Sequence, residues 1–163
     1  MAAVHLSTPE ATAAAGAALA PLLVAGDALA LVGELGAGKT ALTTAVVAAL
    51  GVPTPATSPT FALVHRYDGG RLLVWHVDLY RVDHARELHE LGLDDVVGVA
   101  RGPSAGVALV EWADRFAVMP REHLRIELAH QAGGGRALTI VGVGARGAAL
   151  ATAWHAALQA GMA

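Results

Sequence analysis

The 163 residues are 55% hydrophobic and 15% charged, with a formal net charge of −3 and no cysteine. This balance excludes a disordered chain, which needs low hydrophobicity and high net charge, and it excludes disulfides and thiolate chemistry. No run of Lys or Arg is present, so the chain is not expected to grip nucleic acid by itself, which takes a basic stripe against the phosphates.

In chain order, Ser7-Thr8-Pro9-Glu10 reads as a helix start, with a hydroxyl cap, an early proline and a Glu three residues after Ser7. The alanine-rich segment behind it predicts a helix to about Ala20. Pro21 and Gly26-Asp27 interrupt the apolar stretch from Ala13 to Val32. That stretch therefore reads as helix, turn and buried strand (Ala28–Val32) rather than a membrane span. The first residues lack the positive charge of a secretory leader, and a cytoplasmic location is the default expectation.

A second helix is predicted over Thr40–Leu50, closed by Gly51. Three prolines make Val52–Thr60 a loop. Phe61–Tyr67 and Arg71–Asp78 form a predicted hairpin around Asp68-Gly69-Gly70. Asp83–Leu91 reads as a short helix and Val107–Val110 as a buried strand. A second hairpin, Leu124–Ala129 with Arg136–Val141, turns at Gly133-Gly134-Gly135, and Ala148–Ala160 ends the chain as a helix. The expectation is one α/β domain over residues 1–163: a mixed sheet flanked by helices, with antiparallel hairpins, of the P-loop NTPase-like kind.

The chemistry starts at Gly33-Glu34-Leu35-Gly36-Ala37-Gly38-Lys39-Thr40, a phosphate-loop pattern with an apolar strand before it and a helix after it. Glycines let the backbone N–H groups wrap phosphates, and the helix N-terminus adds its positive end. Lys39 is expected to reach the β- and γ-phosphates of ATP, and the Thr40 hydroxyl to ligate Mg²⁺. Lys39 is also the only lysine, the other ten basic residues being Arg. A tight phosphate cradle suits a compact ammonium on a slim stem better than a planar fork.

Such a loop needs an acid at the end of a neighbouring strand. Glu111 follows Val107–Val110 and is the favoured metal residue; Asp78 follows Leu73–Val77 and is the alternative, suited to orienting the attacking water or holding a metal-bound one. Thr60, in Thr57-Ser58-Pro59-Thr60, is the candidate γ-phosphate sensor. Trp112 adjoins Glu111 and packs either near the nucleotide or in the core. Arg136 follows three glycines, a placement that suits either nucleotide contact or solvent. The eight histidines show no metal spacing and read as structural or solvated.

Taken together with Ser58-Pro59-Thr60-Phe61, His76-Val77-Asp78-Leu79-Tyr80-Arg81 and Val110-Glu111-Trp112, in that order, the phosphate loop resembles the TsaE (YjeE) family. These are small ATPases of tRNA threonylcarbamoyladenosine synthesis, and the likeness runs from about Thr8 to about Val141. The resemblance implies an ATPase working with the TsaB and TsaD proteins, with tRNA reached only indirectly. It implies a nucleotide site including Lys39, Thr40, Asp78, Glu111 and Trp112, Mg²⁺ at Thr40 and Glu111, and a nucleotide contact at Arg136. Glu34 departs from the more usual Asp, and the glycine-rich tip before Arg136 is also unusual.

The rivals are a P-loop small-molecule kinase, which needs an arginine-rich lid not evident here, and a non-hydrolysing nucleotide switch. A GTPase is disfavoured because its base-reading motif needs a second lysine. The phosphate-cradle reading predicts that Lys39→Arg leaves the fold intact and abolishes productive ATP binding, a loss of roughly 100-fold or more, about 2.8 kcal/mol at the least. Calorimetric titration with ATP checks this, and near-normal affinity would contradict the cradle.

Overall fold

The computed structural model describes residues 3–59, 63–90, 92, 97 and 105–161. The chain runs β1 (Val4–Leu6), α1 (Pro9–Leu19), a 3₁₀ turn (Ala20–Leu22), β2 (Ala28–Val32), α2 (Lys39–Ala49), β3 (Val64–Tyr67) and β4 (Leu73–Asp78). It continues with α3 (Ala85–Glu90), β5 (Gly106–Glu111), β6 (His123–His130), β7 (Arg136–Val143) and a C-terminal helix α4 (Gly144–Gly161).

The strands form one mixed sheet in the order β1-β7-β6-β2-β5-β4-β3. Its centre is parallel, with β2 between β5 and β6 and β4 beside β5; both flanks are antiparallel. Every residue of β5 is buried, as expected for a central strand covered on both faces. Alternate residues feed two cores. Leu29, Leu31, Leu109 and Ile126 pack with Leu19, Leu42, Val46 and Trp154 of α1, α2 and α4. Ala28, Ala30, Val77, Ala108 and Val110 pack on the other face with Leu88 of α3.

The predicted β2 coincides with the observed one, and the other elements differ mostly at their ends. Thr8, not Ser7, caps α1: its backbone is extended and its hydroxyl accepts the Ala11 N–H at 3.2 Å. The described part of the first hairpin strand begins at Val64; Phe61 lies outside the described residues. Strand β1, which pairs with β7 through Leu6 and Arg136, has no counterpart in the sequence reading. Helix α4 starts at Gly144 rather than Ala148, because the Glu122 carboxylate accepts the Ala145 and Arg146 N–H groups at 2.9 and 3.3 Å. A distant acid thus does the work of a cap.

Two contacts place the helices. Arg146 holds Asp27 in a two-pronged pair, Nε–Oδ1 2.7 Å and Nη2–Oδ2 2.6 Å, tying α4 to the turn before β2. The Asp27 hydrogen bond raises the Arg146 pKa. Helices α1 and α2 cross at Gly16, where an added Cβ would lie 2.8 Å from the Ala45 Cβ and 2.9 Å from the Leu42 carbonyl oxygen. Gly16→Ala gains about 1 kcal/mol of helix propensity but overpacks this crossing, at a cost of about 1–3 kcal/mol. A lower urea midpoint is expected; an unchanged or higher one would contradict the close crossing.

Candidate functional site

Strand β2 ends at Val32, and the loop Gly33–Gly38 turns the chain into α2. Gly33, Gly36 and Gly38 have φ of 146°, 76° and 108°, a region that side chains disfavour. At Gly33 a Cβ would also lie 2.2 Å from the Leu128 carbonyl oxygen. Gly38 is the N-cap of α2, so the helix begins with its free N–H groups at the loop.

The Lys39 side chain folds back over the loop. Its Nζ donates to the Gly33 and Glu34 carbonyls at 2.7 and 2.9 Å and lies 3.8 Å from the centre of the Trp112 ring. Two of the three ammonium donors are thereby used, which fixes the head and leaves one for a ligand. Burial lowers the Lys39 pKa, while the charges of Glu111, Asp78 and Asp114 act in the opposite direction.

Because β2 and β4 both run parallel to β5, their C-terminal ends meet at the loop. Glu111 is 2% exposed. Its Oε2 accepts from the Thr40 hydroxyl at 2.9 Å, and its Oε1 is 2.8 Å from His76 Nε2. Asp78 pairs with Glu111 in register; it accepts from the Ser58 hydroxyl at 3.1 Å and from the Tyr80 N–H at 2.9 Å. Trp112 has φ 59°, unusual for a bulky residue, and packs on Tyr80 with ring centres 4.9 Å apart.

A cavity of about 300 Å³ is lined by Leu35, Gly36, Gly38, Lys39, Thr40, Ser58, Asp78, Glu111 and Trp112, among others. The structure thus brings most of the residues singled out in the sequence to one place. Gly33 and Ala37 belong to the loop beneath it, and Thr60 lies outside the described residues. Arg136 sits on the other side of the loop, donating to the Ala37 and Gly36 carbonyls at 3.0 and 3.1 Å. There it lines a second cavity of about 260 Å³ with Leu6–Pro9, Thr12, Gly36 and Gly38.

Of the two readings open to the histidines, structural or solvated, His76 takes the structural one. It is fully buried and bonded to Glu111, so the solvated reading fails for it. The available signal was strand periodicity: His76 and Asp78 are two apart on β4 and share a face.

Thr40 and Glu111 offer hydroxyl and carboxylate oxygens 2.9 Å apart, the hard donors Mg²⁺ prefers. Among the described residues no group of three or more His, Asp or Glu is placed to hold a metal by itself.

A glycine loop between a central parallel strand and a helix, with Lys-Thr behind it and acids on adjacent strands, defines a P-loop NTPase-like protein. Comparison with known proteins narrows this. The family profile described as "Threonylcarbamoyl adenosine biosynthesis protein TsaE" matches residues 6–138. The tRNA threonylcarbamoyladenosine biosynthesis protein TsaE of Bacillus subtilis is 37% identical over 85% of this chain and 84% of its own. Its Streptomyces coelicolor counterpart is 38% identical over 80% of this chain and 90% of its own. The crystal structure of Bacillus subtilis YdiB superposes with a TM-score of 0.76 at 32% identity, covering 94% of this chain and 93% of that one. The chain belongs to the TsaE family of tRNA threonylcarbamoyladenosine biosynthesis proteins.

The two acids are expected to separate by function. Glu111→Ala should weaken ATP binding in Mg²⁺ by roughly 100-fold, about 2.8 kcal/mol, with little change in EDTA. Asp78→Ala should lower hydrolysis with a smaller loss of binding. Calorimetry of ATP at varied Mg²⁺ is the check, and equal metal dependence in wild type and Glu111→Ala would contradict the assignment.

Proposed function

We propose that this protein is a Mg²⁺-dependent ATPase that supports threonylcarbamoyladenosine modification of tRNA by acting on a TsaB–TsaD complex. The observation that carries the reading is the Thr40–Glu111 hydroxyl–carboxylate contact of 2.9 Å directly behind the phosphate loop. The loop N–H groups and Lys39 bind the phosphates, and the Leu6–Pro9 and Arg136 cavity takes the nucleoside end. Thr40 and Glu111 would hold Mg²⁺, which would supply neutralisation of the phosphate charge. Asp78, steadied by Ser58 and the Tyr80 N–H, accepts a hydrogen bond from the attacking water and orients it.

The contribution to tRNA modification is mechanical. Ser58 bonds to Asp78, and the Tyr67 hydroxyl both donates to the Thr57 carbonyl and accepts the Thr57 N–H at 3.1 Å. Nucleotide state at Asp78 therefore acts on the Thr57–Thr60 loop, and Thr60 senses the γ-phosphate. With a net charge of −3 and no basic run, the chain reaches tRNA through its partners.

A nucleotide shifts a conformational equilibrium only through different affinities for the two states. Affinity for TsaB–TsaD should therefore differ between ATP and ADP by about 10-fold, or about 1.4 kcal/mol, and Thr60→Ala should shrink the difference. Pull-down and calorimetry with the reconstituted partners measure it. Partner affinity indifferent to nucleotide, or tight salt-sensitive binding of free tRNA, would contradict the proposal.

A further inference from the structure

Glu111 has only two carboxylate oxygens, and the structure commits each to a different element. Oε2 meets the Thr40 hydroxyl at the start of α2, and Oε1 meets His76 Nε2 on β4 at 2.8 Å. The His76 ring is fully buried, and its Nδ1 has no hydrogen-bond partner among the described residues. A bare ring nitrogen is easier to bury than an unpaired N–H, so the ring's proton belongs on Nε2, where an acceptor waits. The ring is also held: Tyr67 packs beside it with centroids 6.4 Å apart and planes inclined at 31°. Tyr67 is fixed in turn by its two hydrogen bonds to Thr57.

We propose that His76 is a positioning residue for the metal site, donating from Nε2 to Glu111 Oε1 so that Oε2 stays turned toward Thr40 and the cation. The inference rests on the Mg²⁺ reading of Thr40 and Glu111 above. Without the His76 donor, Oε1 is a buried acceptor with no partner, and the carboxylate gains by rotating to seek one. Rotation takes Oε2 off the Thr40 line. Partners of this kind, which orient a metal ligand without touching the metal, typically change metal affinity by about 10- to 100-fold.

A pair of amides tests the placement of the donor. The Gln side-chain nitrogen reaches about as far as imidazole Nε2, whereas the shorter Asn nitrogen stops near Nδ1. ATP binding to His76→Gln, His76→Asn and wild type is titrated against Mg²⁺ and again in EDTA, with thermal melting of each protein alongside. His76→Asn is expected to need about 10- to 100-fold more Mg²⁺ for half-saturation, with its metal-free ATP affinity unchanged, and His76→Gln to stay near wild type. Equal Mg²⁺ requirements in the two variants, both normal or both impaired, would overturn the positioning role. A parallel loss of metal-free ATP binding would overturn it too, since a purely structural residue behaves that way. Wild-type binding that is indifferent to Mg²⁺ would overturn the metal assignment itself, and this inference with it, before any variant is compared.

Discussion

A carboxylate buried to 2% exposure at the end of a central strand must be surrounded by donors, and Glu111 draws its donors from two other elements. An unpaired buried charge destabilises by several kcal/mol, so Thr40, His76 and Glu111 hold one another in place. The demand reaches into the topology. Only with β4 and β2 on either side of β5, all running parallel, do the end of β4, the end of β5 and the start of α2 arrive at one point. The antiparallel flanks and the helices then cover this parallel centre.

The loop above that carboxylate is shaped by a second constraint, close backbone approach. Gly33 sits against the Leu128 carbonyl, so the loop is pressed onto β6 as well as suspended between β2 and α2. Arg136 braces the far side through the Gly36 and Ala37 carbonyls, and Lys39 braces the near side through those of Gly33 and Glu34. With those carbonyls occupied and the Ala37 N–H returned to the Glu34 carbonyl at 3.1 Å, it falls to the loop's other N–H groups to face an anion. Trp112 closes the site at positive φ, a conformation that costs on the order of 1–3 kcal/mol and brings its ring against Lys39 and Tyr80.

Much of this was legible in the sequence because its signals are local. Ala28–Val32 is an uninterrupted apolar run meeting a glycine loop of fixed spacing, so both the strand and the start of α2 could be read to within a residue. Glu111 and Asp78 were legible as acids ending apolar strands. What escaped is non-local. Strand β1 has three residues and exists through its pairing with β7. The start of α4 is set by Glu122, more than twenty residues upstream. His76 carries no metal-ligand spacing, and its contact comes from reaching Glu111 diagonally across the parallel pair β4–β5, two residues beyond its register partner Leu109. Arg136 was marked by its position after three glycines, but no local pattern says that it reaches the carbonyls of Gly36 and Ala37.

The central claim, that the phosphate loop and Glu111 together form one Mg²⁺–ATP site, is tested most directly by a crystal structure with Mg²⁺ and a non-hydrolysable ATP analogue. The account predicts phosphate oxygens on the N–H groups of the Gly36–Thr40 segment and on Lys39 Nζ. It places the metal beside Thr40 Oγ1 and Glu111, and the base in the cavity beside Arg136. A nucleotide bound elsewhere, or phosphates in the loop with a metal remote from Glu111, would contradict it.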